Sequence, residues 1–250
     1  MDITGNVILI TGGGSGIGRA LAIALHERGN RVIVAGRRLE PLEQLAADVP
    51  GIAVAQLDIA DPHAIAPFAA SVTAAHPALN VVIHNAGIMR AEDLLADGFA
   101  LDTAEATIAT NLLGPIRLTA ALLPHLRAQP KASILTVSSG LAFVPLAATP
   151  TYSATKAAIH SWSQSLRAQL APTGIDVIEI APPAVATDLM PGHAQNPNSM
   201  PLDAYIAETM ALFEAHPHGP ENTVERVLFL RNAEHDGHYD ETFAMLNQRH

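Results

Sequence analysis

Cysteine is absent from this chain of 250 residues, which removes both a disulfide framework and any thiolate metal site. Lysine is nearly absent, occurring only as Lys131 and Lys156. Positive charge is scarce in general: the formal net charge is −10, which argues against nucleic acid or an anionic membrane surface as a partner. No apolar run approaches the roughly 18 residues needed to cross a bilayer, and no charged-plus-apolar leader opens the chain. A cytoplasmic protein is the expectation. Aromatics are only 4 % of the residues against 49 % apolar, a composition rich in alanine that suits helices packed on a sheet. Repeats and low-complexity linkers are missing too, so residues 1–250 read as one domain with a sizeable core.

What is present is concentrated in two places. Tyr152-Ser153-Ala154-Thr155-Lys156 follows the apolar run that ends at Ser138-Ser139. Residues four apart share a helix face, so Lys156 stands about one turn from Tyr152. An ammonium there favours the phenolate and should pull the tyrosine pKa down from roughly 10. Ser139, at a strand end, is placed to hydrogen-bond the same substrate oxygen. At the other end of the chain, the strand-like run 6–11 leads into Gly12-Gly13-Gly14-Ser15-Gly16-Ile17-Gly18, then into a helical pattern. Glycines there let the backbone approach a pyrophosphate, and the helix N-terminus supplies free N–H donors.

Strand patterns at 6–11, 31–36, 52–57, 80–84, 132–138 and 175–180 alternate with helical ones at 16–28, 39–47, 62–75, 103–128, 151–171, 202–215 and 220–233. That alternation predicts an α/β, Rossmann-type doubly wound parallel sheet of about six strands with helices on both faces.

These pieces in register resemble the short-chain dehydrogenase/reductase family over nearly the whole length: Thr11-Gly12 through Gly18, Asp58-Ile59, Asn85-Ala86-Gly87, Asn111, Ser139, Tyr152 and Lys156. The resemblance implies a catalytic set of Asn111, Ser139, Tyr152 and Lys156. It implies a nicotinamide cofactor held by Gly12, Gly14, Ser15, Gly16, Ile17, Gly18, Asp58, Ile59, Asn85, Ala86 and Gly87. Tyr152 and Lys156 would also touch it, as would Pro182, Val185 and Thr187 after the sixth strand. In such a site Asp58 accepts from the adenine amino group, Lys156 also binds the nicotinamide ribose, and Asn111 holds a water on a proton path to Lys156. Pro183 replaces the usual glycine beside Pro182, and the tail lacks the usual seventh-strand sequence; both departures resemble the DltE-type branch.

An acid near the end of the second strand would accept from a ribose 2′-OH, but here Gly36 is followed by Arg37 and Arg38. Arginine binds a 2′-phosphate, so NADP(H) is expected over NAD(H), with Arg37 as its contact. The expected substrate is a small neutral carbonyl or secondary alcohol, under a variable lid at 188–215 that carries Leu189, Met190, Met200, Leu202, Tyr205, Met210, Leu212 and Phe213. Arg90 is expected to pair with Glu92 or Asp93. The pairs His216/His218 and His235/His238 lack metal-ligand spacing, so no metal is expected. A homodimer or homotetramer through helices 103–128 and 151–171 is expected. The rival reading is a dinucleotide-binding sensor or scaffold without turnover.

Overall fold

In the computed structural model, which describes residues 1–98 and 100–248, short branched apolar runs become strands and the alanine-rich amphipathic stretches between them become crossover helices. The last two residues of the expected domain lie outside the description. The order is β1 (Val7–Thr11), α1 (Gly16–Glu27), β2 (Arg31–Gly36), α2 (Leu39–Asp48), β3 (Ala53–Gln56), α3 (Pro62–Ala75), β4 (Val81–His84), α4 (Asp102–Ile108), α5 (Gly114–Arg127), β5 (Ala132–Val137), α6 (Pro150–Leu170), β6 (Ile175–Ile180), α7 (Leu202–Ala215), β7 (Glu221–Asn222), α8 (Leu228–Arg231) and α9 (Tyr239–Asn247). The sheet runs β3-β2-β1-β4-β5-β6-β7, and every pairing is parallel. Strand order reverses between β1 and β4, which opens a crevice at their carboxyl ends, where open α/β sheets bind ligands.

Both faces of the sheet are buried, as continuous apolar strands require. On one face Ile8, Ile10, Val32 and Val34 meet Leu21 and Leu25 of α1, Leu42 and Leu45 of α2, and Tyr205, Met210 and Phe213 of α7. On the other, Leu9, Val82 and Ile134 meet Ile65 and Phe68 of α3, Leu118, Leu122 and Leu126 of α5, and Leu166 and Leu170 of α6. At the amino ends of the strands three asparagines bind one another: Asn6 N donates to Asn30 Oδ1 at 3.0 Å and Asn80 Nδ2 to Asn6 Oδ1 at 3.0 Å. They align β1, β2 and β4.

Several expectations change. The sheet has seven strands rather than six, because the segment expected as one helix at 220–233 opens with the two-residue β7 and continues as a 3₁₀ turn, Glu225–Val227, and the short α8. Pairing of Glu221 and Asn222 with Glu179 and Ile180 along the edge of β6 holds this start extended. The tail forms α9, whose Asn247 accepts from Ala147 N at 2.7 Å and donates to Pro145 O at 3.2 Å. The helix expected over 103–128 runs from 102 to 127 but is interrupted by a π turn, Ala109–Leu113. By length and composition alone this run could cross a membrane; its Leu118, Leu122 and Leu126 are fully buried against α3.

The proposed lid also reads differently. Tyr205, Met210 and Phe213 of α7 are core residues packed toward α1, and Met200 is buried with them. Their apolar spacing therefore serves the sheet core, and only Leu189 of the set is strongly exposed, at 40 %.

Gly114, the first residue of α5, lies so close to the chain after β3 that an added Cβ would sit 2.7 Å from Ile59 Cγ1 and 2.8 Å from Ile59 O. Alanine would gain up to about 1 kcal/mol of helix propensity, but the carbonyl cannot rotate away. Gly114→Ala is expected to lose about 1–3 kcal/mol net. The check is a lower denaturant midpoint at unchanged slope; a midpoint at or above wild type would contradict the close packing.

Candidate active site

The glycine turn is stitched into the sheet from both sides. Gly12 N donates to Ala35 O at 2.7 Å, and Asn85 Nδ2 donates to Thr11 O at 3.0 Å and Gly12 O at 3.2 Å. Thr11 Oγ1 accepts from the backbone N–H groups of Asn85 and Ala86, both at 3.2 Å. Gly12 and Gly16 have φ of 68° and 51°, a left-handed backbone that favours glycine. A Cβ at Gly18 would lie 2.3 Å from Asn85 Nδ2. Ser15 is the N-cap residue of α1, makes no side-chain cap hydrogen bond and is exposed. Gly14 lies against Pro41 and Leu42, and Ile17 packs on the core.

The turn comes close to the loop after β6: a Cβ on Gly16 would be 3.4 Å from Thr187. That loop is held by a parallel bridge between Val185 and Met200 and by Gly140 N donating to Pro182 O at 2.8 Å. No described non-glycine residue has positive φ, so Pro183 is accommodated without the left-handed backbone a glycine would allow.

Tyr152 and Lys156 are both buried, at 6 % and 4 % exposure. Lys156 Nζ donates to Val137 O at 2.7 Å and lies 5.5 Å from the centre of the Tyr152 ring. Gly87 leaves the space beside it open, since an added Cβ there would be 3.7 Å from Nζ. Ser139 Oγ accepts from Leu141 N at 3.1 Å, which fixes it at the end of β5. The structure thus brings Ser139, Tyr152, Lys156 and Gly87 together.

Its electrostatics correct one expectation. Burial pushes the Tyr152 phenol up to about 12, and the hydrogen bond from Ser139 pulls only partly the other way. Burial also pulls the Lys156 ammonium down to about 8, against the charge of Glu179. Helical spacing places a cation one turn away, but it says nothing of desolvation, which dominates both groups here.

Asn111 sits at the π turn, buried, with its side chain clamping one residue. Its Oδ1 accepts from Ile88 N at 2.9 Å, and its Nδ2 donates to Ile88 O at 2.9 Å and Thr155 Oγ1 at 3.3 Å. Asn85 likewise ties β4 to the glycine turn. Asp58 accepts from Ala60 N at 3.0 Å, while Asp61 caps α3 through His63 N at 2.8 Å. Next to Asp58, Ile59 is buried. Arg37 and Arg38 are exposed, and neither forms an ion pair among the described residues.

The expected pairing of Arg90 does not occur. Glu92 instead accepts from Thr151 N at 3.1 Å and Oγ1 at 2.8 Å at the start of α6, and Asp93 accepts from Leu95 N at 3.0 Å. A free helix N-terminus is a better partner for Glu92 than a solvated guanidinium. Sequence reasoning also missed Glu179, which is fully buried. Its signal was one charge inside Val177-Ile178-Glu179-Ile180-Ala181, a run otherwise apolar and buried on both faces.

Known proteins share much of this sequence and fold. The family model described as short chain dehydrogenase matches residues 6–198. The chain is 43 % identical over 196 residues to the oxidoreductase DltE of Bacillus subtilis (strain 168), covering 76 % of this chain and 75 % of that one. It is 31 % identical over 232 residues to an oxidoreductase of Staphylococcus aureus (strain MW2), covering 90 % and 99 %. Among solved structures it is similar to a short chain dehydrogenase from Burkholderia cenocepacia J2315 in complex with NADP, with a TM-score of 0.82, 26 % identity and coverage of 98 % and 99 %. With a glycine turn at the β1–β4 switch point and a buried tyrosine–lysine pair beside it, the chain belongs to the short-chain dehydrogenase/reductase family, as an oxidoreductase of the DltE branch.

Proposed function

We propose that this enzyme prefers NADP(H) and interconverts a small neutral carbonyl compound and its alcohol at Ser139, Tyr152 and Lys156. The observation that most supports this reading is the buried Tyr152 phenol, with the Ser139 hydroxyl against it and the Lys156 ammonium one turn away. When bound, the cofactor supplies the hydride. In reduction Tyr152 gives its proton to the substrate oxygen, and in oxidation its phenolate takes the proton back. Ser139 donates to the same oxygen as negative charge develops on it. Lys156 supplies the positive charge that favours the phenolate, and Asn111 positions Gly87-Ile88 beside it as support for a proton path.

The cofactor reading stands on the residues that would hold it. The start of α1, where N–H groups lack intrahelical partners, together with exposed Ser15 suits a pyrophosphate. Exposed Arg37 after Gly36, with no acid beside it, suits a 2′-phosphate, and the Burkholderia relative is a complex with NADP. Val185, Thr187 and Pro182 would line the nicotinamide end and Asp58 the adenine end. A neutral substrate is supported by the lack of any Lys or Arg between Arg167 and Arg226.

A homodimer is supported by the groove between α4 and α6, of about 530 Å³, lined by Leu94, Leu101, Ile108 and Leu112 with Pro150 and Ala154. Leu101 and Ile108 are 62 % and 39 % exposed. A second copy of this helix pair would cover them.

These outcomes are expected. With NADPH and matched neutral and carboxylated carbonyls, kcat/KM favours the neutral members, and Tyr152→Phe keeps cofactor affinity while kcat falls at least about 10²-fold. A third of wild-type turnover in the variant, or a tenfold preference for the anionic compounds, would falsify this assignment. Arg37→Asp should reverse the coenzyme preference; tighter binding of NADH than of NADPH by wild type contradicts it. Light scattering at micromolar concentration should give a dimer, and Ile108→Glu a monomer, whereas a monomeric wild type counts against the interface.

A further inference from the structure

Behind the site lies a buried charge that the reaction as described does not use. Glu179 of β6 has no exposed surface, yet both its oxygens are bonded. Oε1 accepts from Ser138 Oγ at 2.5 Å and Oε2 from His160 Nδ1 at 2.7 Å. With its proton on Nδ1, His160 has its Nε2 free to accept from Gln164 Nε2 at 3.1 Å, so the network assigns the tautomer. Phe143 meets the His160 ring edge-on at 4.8 Å, and the Arg231 guanidinium lies 4.7 Å from the Phe143 ring.

The parallel register sets Glu179 beside Glu221, and Arg231 takes both oxygens of Glu221 at 2.8 and 2.9 Å. His160, Glu179 and Glu221 bring ligand-type atoms within 4.8 Å of one another, a spacing that suits a metal. Their acceptors are engaged, however, by Ser138, His160 and Arg231, which makes the cluster a closed charge network.

The network touches the catalytic elements at two points. Ser138 directly precedes Ser139, and its N–H is held by Ile180 O at 2.8 Å on the same strand as Glu179. His160 stands one turn beyond Lys156 on α6, while Lys156 Nζ is bound to Val137 O, next to Ser138. Burying an ion without a partner is far more costly than burying a bonded pair. We propose that Glu179 is a positioning residue of the site: its carboxylate, held by His160, anchors the Ser138–Ser139 segment and is the counter-charge of the Lys156 ammonium.

This rests on the reading of Ser139, Tyr152 and Lys156 given above. The groups that bear on the Lys156 charge are Tyr152 and His160 on its own helix, Glu179 on β6, Glu221 on β7 and Arg231 on α8. Of these Glu179 is the one that raises its pKa against burial. A nearby anion favours the protonated amine, so its removal must lower the titration midpoint.

The two-lysine composition gives a direct readout. In protein labelled at lysine, NMR shows two side chains, and Lys131, with 78 % of its side chain exposed, is the internal control. In Glu179→Gln the amide replaces the carboxylate at nearly equal shape, and His160 can change tautomer to keep a hydrogen bond. The Lys156 midpoint is expected to fall by about one unit or more while that of Lys131 stays. An unmoved Lys156 midpoint in the folded variant overturns the counter-charge.

Ser138→Ala leaves every charge in place and tests the anchor separately. The Lys156 midpoint should hold while kcat falls about tenfold, and full turnover overturns the anchoring role. The lysine titration needs no substrate, so it stands or falls whether or not the proposed reaction is observed. A wild type without turnover would count against the reaction and leave the pairing to the NMR result.

Discussion

The fold turns on a contact with no clearance: the carboxamide of Asn85 against the first turn of the chain. A methyl group at Gly18 would sit 2.3 Å from Asn85 Nδ2 and 2.4 Å from Gly12 O. Three chain segments meet there, the end of β1, the start of α1 and the end of β4. Their closeness sets the start of α1 beside the crevice between β1 and β4. Hydrogen bonds from Asn85 to Thr11 and Gly12 carbonyls fix the spacing; the glycines permit it. Everything that follows β4, including Gly87 beside Lys156, is placed relative to that junction.

Much of this was legible in the residues, because each signal was local. Six strands stood out as apolar runs, whereas the π turn at Ala109–Leu113 interrupts a stretch whose spacing reads as one continuous helix. Other features depend on distant partners and left little trace. β7 is two residues long, too short for any periodicity, and it exists because β6 offers an open edge. The apolar spacing of α7 showed a helix with a buried face but not what it faces; Tyr205, Met210 and Phe213 fill the sheet core. Tyr152 and Lys156 were identifiable as a pair, whereas their desolvation depends on how deeply the fold buries α6, a property of the whole layer.

Glu179 shows what a charge in an apolar strand means when read physically. A carboxylate with no exposed surface persists only where donors surround it, and here they come from two elements, Ser138 after β5 and His160 on α6, while Arg231 on α8 binds the neighbouring Glu221. Two carboxylates facing each other across β6 and β7 would repel. The His160 N–H on Glu179 and the Arg231 guanidinium on Glu221 offset that repulsion. The C-terminal third of the chain is thereby tied to the catalytic helix by charge as well as by packing.

The sheet ends in very little backbone on either side. β3 at one margin is four residues long, and β7 at the other is two; beside β7, Arg167 Nη2 further occupies the Pro220 carbonyl at 2.7 Å. A parallel sheet buried on both faces by helices, with margins this short, presents almost no row of unpaired N–H and C=O groups. It is therefore a poor template for strand addition and for the edge-to-edge aggregation that exposed margins invite.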